Sequence, residues 1–80
     1  MRLSLPDIRR LALEVAREVG PGIHVVATTN PEGAVDYTEV VLSVEDVPEP
    51  RRIVVSVRRT ASAETIRRTL QEQLRQHLQG

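Results

Sequence analysis

Two short runs of mostly β-branched residues, VVLSV at 40–44 and IVVSV at 53–57, constrain this fold more than any other feature. In each run apolar residues recur at every second position, which is typical of a strand with one buried face. The segment EDVPEP between them predicts a loop. The runs are therefore expected to form an antiparallel hairpin. The core-facing residues would be Val40, Leu42, Val44, Ile53, Val55 and Val57.

The charges beside these runs predict how the strands pair. A one-residue slip would turn arginines into the core, so the pairing should be well specified. We expect Val40 opposite Val57, which places Glu39 opposite Arg58 on the exposed face. The turn NPEG predicts a second hairpin with strand 23–29, and this pairing brings His24 beside Glu39. Acids of the sheet would then neutralise much of the strand arginine charge.

Helical periodicity flanks the strands on both sides. An apolar arc covers residues 5–19, preceded by Ser4 and Asp7 at capping-box spacing. The sequence GPG at 20–22 predicts the end of this helix. A final helix is expected from a cap at Thr60 or Ser62 to about Leu78.

The predicted order is α-β-β-β-α, which is an α+β fold in one small domain spanning residues 1–80. We expect a three-stranded antiparallel meander with the middle strand central and both helices packed on one face. In the last helix, Arg67, Arg68 and Arg75 are expected to pair with Glu64 and Glu72 along the helix surface.

Composition argues against several functional classes. The chain has no cysteine, so disulfides and thiolate metal sites are excluded, and its two histidines lack metal-ligand spacing. One Tyr and no Phe or Trp leave no platform on which bases could stack. No apolar run is long enough to span a bilayer, and the N-terminus does not resemble a signal peptide. We therefore predict a cytoplasmic protein without metal, cofactor, small-molecule substrate or membrane association.

Two histidine positions are the candidates for catalysis. The expected group His24–Glu39–Arg58 combines a base with an orienting acid, but it would lie on a flat face with no nucleophile beside it. We interpret it as a cross-strand ion network. His77 falls in the last turn of the final helix, where it can contact helix-end carbonyls. The sequence does not predict an enzyme.

All 11 basic residues are arginine, and they are unevenly distributed. Residues 21–50 carry six acids and no base, whereas residues 51–80 carry seven arginines and two acids. Such asymmetry indicates either internal pairing or a polyanionic partner.

The element order is similar to that of the double-stranded-RNA-binding domain, and the stretch RRTASAETIRRTL at 58–70 resembles the basic cluster that opens its last helix. Two basic residues and an alanine match. Ser62 stands where the next base would be, and the turn NPEG lacks the Gly-Pro-x-His signature. The resemblance implies polyanion contacts at Arg58, Arg59, Arg67 and Arg68.

An interaction or assembly module is the favoured interpretation, with nucleic-acid binding as the alternative. A small aliphatic core gains stability from self-association, so a homodimer or a protein complex is expected. Several apolar side chains would remain among the charges of the surface. The candidate interface residues are Leu13, Val26, Tyr37, Val41 and Val54.

Overall fold

The computed structural model describes residues 3–30, 36–45 and 48–79. Its elements are helix α1 (Leu5–Val19), strands β1 (Ile23–Thr29), β2 (Tyr37–Val44) and β3 (Arg51–Arg58), and helix α2 (Ala63–Gln79). The strands form one antiparallel sheet in the order β1-β2-β3. The predicted α+β order and the central position of β2 are confirmed. The NPEG turn and part of the EDVPEP loop lie outside the described residues.

Local signals set both ends of α1. The Ser4 hydroxyl accepts the Asp7 N–H at 3.2 Å, and the Asp7 carboxylate accepts the Ser4 N–H at 3.4 Å, which completes the expected capping box. Hydrogen bonds with the Ser4 side chain, and then with its backbone, lower the pKa of Asp7. At the other end, Gly22 has a φ of +85°, a left-handed conformation that favours glycine in the turn leading to β1.

The core lies between the two helices and one face of the sheet. Helix α1 packs mainly on β1, α2 packs on β3, and the helices also contact each other. Every strand residue expected to face the core is buried. The buried cluster consists of Ile8, Ala12, Val15, Val40, Leu42, Val44, Ile53, Val55, Val57, Ile66, Leu70 and Leu74. The apolar side chains of the core are therefore all aliphatic, and they lie on one side of the sheet.

Thr38 is the polar residue that this core encloses. It is fully buried on the core face of β2. Its hydroxyl donates to the Asn30 side-chain oxygen at 3.1 Å. A buried hydroxyl without a partner would destabilise the fold, so this hydrogen bond makes the position acceptable.

The pairing of β2 with β3 differs by two residues from the expected one. Val40 lies opposite Val55, and Leu42 lies opposite Ile53. The expected pairs Val40–Val57 and Glu39–Arg58 are wrong. A two-residue shift keeps every side chain on its predicted face, so alternation cannot distinguish the two registers. The observed ladder runs from the pair of Tyr37 and Arg58 to the pair of Val44 and Arg51.

The pairing of β1 with β2 is displaced further. Ile23 lies opposite Val44 and His24 opposite Ser43, so the expected position of His24 beside Glu39 is wrong. The register shifts at a β-bulge between Val25 and Ala27. The last paired residues are Thr29 and Glu39, so the connection is longer than the tight turn that NPEG predicts.

Amide hydrogen exchange tests this strand order. Residues 40–44 should exchange most slowly, because β2 is hydrogen-bonded on both sides and carries the centre of the core. Exchange followed by NMR at pH near neutrality resolves the strands residue by residue. Greater protection in residues 23–29 than in residues 40–44 would contradict a central β2.

Candidate interaction surface

The face of the sheet turned away from the helices carries an apolar row across all three strands. Val41 of β2 lies between Ala27 of β1 and Val54 of β3, and Val26 adjoins Ala27 at the bulge. Val26 and Val54 are 47% and 51% exposed. No described residue packs over them, so this row is an unpartnered apolar strip on a small domain. We call this side of the sheet the open face.

Polar rows border the apolar strip on both sides. One row consists of His24, Ser43 and Arg52, and the opposite one consists of Thr29, Glu39 and Ser56. Tyr37 and Arg58 form a further pair beyond the second row. The charges are therefore segregated, since Arg52 and Glu39 lie on opposite sides of the strip.

His24 pairs with Glu45 and not with Glu39. The His24 Nε2 and a Glu45 carboxylate oxygen are 3.3 Å apart, and both side chains are well exposed. The expected group His24–Glu39–Arg58 does not form, because both registers differ from the expected ones. An exposed pair of this kind contributes little to stability.

Arg58 is held by Tyr37, its neighbour across the strands. Its Nη2 donates to the Tyr37 hydroxyl at 2.6 Å, and its guanidinium carbon lies 5.3 Å from the centre of the ring. The hydrogen bond to Tyr37 raises the pKa of Arg58 further above its ordinary value. The partner predicted for this arginine was Glu39; the structure supplies Tyr37, the only aromatic residue of the chain, and the charge of Asp36 has a smaller effect on its pKa.

Arg59 ties the N-terminal segment to the end of β3. Its Nε donates to the Leu3 carbonyl at 3.0 Å, and its own carbonyl accepts the Leu3 N–H at 3.0 Å. Its backbone N–H donates to the Asp36 carbonyl at 2.7 Å. Arg59 therefore has a structural role beside the sheet edge.

Arg67 joins the two helices through acids of α1. Its guanidinium donates to Glu18 at 2.8 Å and also to Glu14, while Gln71 donates to Glu18 at 2.9 Å. We call Arg67, Glu14 and Glu18 the helix clamp. The expected partners of Arg67 within α2 are wrong, whereas Arg68 meets Glu64 at 3.5 Å. The i, i+4 spacing of Glu14 and Glu18 was the sequence signal that could have indicated a bridging cation.

The candidate interface residues fall on two separate surfaces. Val26, Tyr37, Val41 and Val54 share the open face. Leu13 is 44% exposed on α1, in the helical layer, and lies beside β1. His77 is exposed, and its backbone carbonyl accepts a hydrogen bond from Arg51 at 3.2 Å.

The described residues offer no group of three or more His, Asp or Glu side chains able to hold a metal ion. No helix in the same part of the chain is long and apolar enough to cross a bilayer. Comparison with known proteins finds no matching family model, no matching curated protein and no matching solved structure.

Two variants compare the stability contributed by the arginine pair between the helices with that of the pair inside α2. Arg67→Gln should lower the free energy of unfolding by about 1 kcal/mol, because one cation serves two acids across the helix interface. Arg68→Gln, the matched control, should change it by less than about 0.3 kcal/mol. Urea unfolding measures both, and a double-mutant cycle of Arg67→Gln with Glu18→Gln isolates the pair. Equal losses of unfolding free energy in the two variants would show that the clamp is no stronger than an ordinary surface ion pair.

Proposed function

We propose that this chain is a non-catalytic interaction module that associates with a second copy of itself through the open face. The observation that carries the proposal is the apolar strip of Val26, Ala27, Val41 and Val54, bordered by polar rows. An apolar centre with a polar rim is the usual anatomy of a protein–protein interface.

The size of the open face indicates a weak and reversible dimer. Three strands spaced about 4.8 Å apart and about eight residues long present a projected area of roughly 400 Å². A standard interface buries about 800 Å² on each partner. With half that area, we expect a dissociation constant on the order of 100 µM. Such a dimer forms where the chain is concentrated, for example when it is tethered within a larger assembly.

Electrostatics favours one of two symmetric ways to stack the open faces. In a twofold dimer each surface meets its own copy. An axis along β2 would place Glu39 over Glu39 of the second copy, which is repulsive. An axis along the apolar strip superposes the two strips and exchanges the polar rows. Glu39 then lies near Arg52 of the second copy, and Glu45 lies near Arg58 of the second copy.

Sedimentation velocity over a concentration series tests the dimer. Val54→Glu should abolish association, because the twofold axis along the strip brings the two introduced carboxylates together. Val54 is exposed, so the monomer should keep its fold, and circular dichroism checks this. Leu13→Glu is the matched control, since it adds the same charge to an exposed position in the helical layer. An unchanged dimer in Val54→Glu, or a wild-type chain that stays monomeric at 1 mM (roughly ten times the expected dissociation constant), would disprove the proposal.

A charge exchange tests the orientation of the two copies. Glu39→Arg and Arg52→Glu should each weaken the dimer about tenfold, since each places two like-charged contacts in the interface. The double variant should restore association. Within one chain the two side chains lie on opposite sides of the apolar strip, so this recovery cannot come from an internal pair. Glu72→Arg on α2 is the control and should have no effect. Absence of recovery in the double variant would argue against this orientation.

Binding to a nucleic-acid duplex is the second candidate, and it has weaker support. Each arginine that the resemblance assigns to a polyanion already has a partner within the chain: Arg58, Arg59, Arg67 and Arg68. A phosphate backbone would compete with those contacts for the same guanidinium groups.

Fluorescence titration of an RNA duplex and a DNA duplex at low and moderate salt measures this alternative. We expect no sub-micromolar binding to either duplex. Tight binding that falls steeply with salt would place this candidate first, provided that it is lost in the double variant Arg58→Gln, Arg59→Gln and kept in Arg75→Gln.

A further inference from the structure

A groove of about 550 Å³ lies between α1 and the outer edge of β1. Its walls include Leu13, Ala16 and Arg17 from α1 and Ile23, His24 and Val25 from β1. Successive strand residues point to opposite faces of a sheet. Because three consecutive residues of β1 line the groove, its wall is the backbone edge of the strand rather than either face.

This strand edge has free hydrogen-bonding capacity. β1 pairs with β2 alone, and no backbone hydrogen bond joins its other edge to another described segment. Such an edge is a template for an added strand. The bulge after Val25 interrupts the regular backbone, so the available stretch is the short one from Ile23 to Val25.

The surface of α1 above the groove is basic. Arg9, Leu13 and Arg17 follow one another at i, i+4 spacing, and neither arginine forms a hydrogen bond or an ion pair with another described residue. The acids of α1 that could have balanced them, Glu14 and Glu18, are turned toward α2 and held by Arg67. The helix therefore separates its charges, with cations left on the side of the groove.

We propose that this groove binds an extended acidic peptide of another protein, which adds a short strand to β1. One apolar side chain of the peptide packs on Leu13, and a carboxylate two residues away pairs with Arg17. The spacing supports this match. Four residues of a helix advance about 6 Å, and two residues of a strand advance about 6.6 Å. A second carboxylate on the other side of the apolar residue then reaches Arg9.

Charge selects an acidic peptide over a second copy of this chain. Antiparallel pairing of two β1 edges would bring Arg9 of one copy toward Arg17 of the other, which is repulsive. A nucleic acid would use the arginines but neither Leu13 nor the strand edge. The groove adjoins the open face at His24, but the proposed peptide contacts Leu13 and Arg17 lie on α1, so the proposal does not depend on the dimer.

Fluorescence anisotropy with a synthetic peptide tests the groove. The probe is a labelled, amidated heptapeptide, Thr-Glu-Thr-Leu-Thr-Glu-Thr, titrated with the whole chain at low salt. We expect saturable binding with a dissociation constant below about 1 mM. A peptide with both glutamates replaced by glutamine should bind about fivefold more weakly. A peptide N-methylated at alternate backbone amides should bind at least about fivefold more weakly, because it cannot complete the strand pairing.

Variants of the protein test which of its residues contact the peptide. Arg17→Glu should weaken binding at least about tenfold, and a peptide with lysines in place of its glutamates should restore it. Leu13→Ala should weaken binding about threefold. Arg17 and Leu13 are both exposed, so neither change should unfold the chain. Val54→Glu, on the open face, is the control and should bind the peptide like the original chain.

Three outcomes would overturn the proposal. Equal binding of the acidic and the glutamine peptides would remove the role of charge. Unchanged binding of the N-methylated peptide would remove the strand edge from the site. The third outcome is that an RNA duplex displaces the peptide and binds the Arg17→Glu variant more weakly. This result would assign the groove to a polyanion. None of these results alters the effect of Val54→Glu on sedimentation, so failure of the groove and failure of the dimer are distinguishable.

Discussion

The aliphatic core of this chain lies between two layers, a three-stranded sheet and two helices. Both helices are used on one face of the sheet, where they bury the alternate residues of β2 and β3. The side chains of the second face are exposed to water. On that face Val26 and Val54 remain about half exposed, and this imbalance between the two faces underlies the proposed interaction surface.

The arginines of this chain have different structural roles. Arg58 stacks on a ring, Arg59 holds a backbone segment, and Arg67 bridges two acids across the helix interface. Each role uses the planar, multidentate guanidinium, which a lysine could reproduce only in part. Arg9 and Arg17 differ from these because their side of α1 lacks acids. A count of positive charges therefore says little about binding until the internal partners are known.

The strand faces and the helix limits follow from local rules, so the sequence was sufficient for them. Alternation determines which residues of β2 are buried, and the Ser4–Asp7 spacing determines where α1 begins. Register was not predictable in this way, because a shift of two residues preserves alternation and the bulge at Val26 changes the pairing of β1. The candidate site was predicted in part: its apolar residues were named, but the ion pairs around His24 and Arg58 depend on register and were wrong. The groove beside Leu13 depends on how α1 sits against β1, which no local pattern specifies.

The bulge at Val26 also limits how far this sheet can extend by pairing with other molecules. Sheets whose edges are regular along their whole length can extend from molecule to molecule without end, as in fibrils. Here one edge is regular for only a few residues, and the other carries arginines and, at its end, the N-terminal segment held by Arg59. Both features hinder edge-to-edge extension of the sheet, although the strands are rich in β-branched residues.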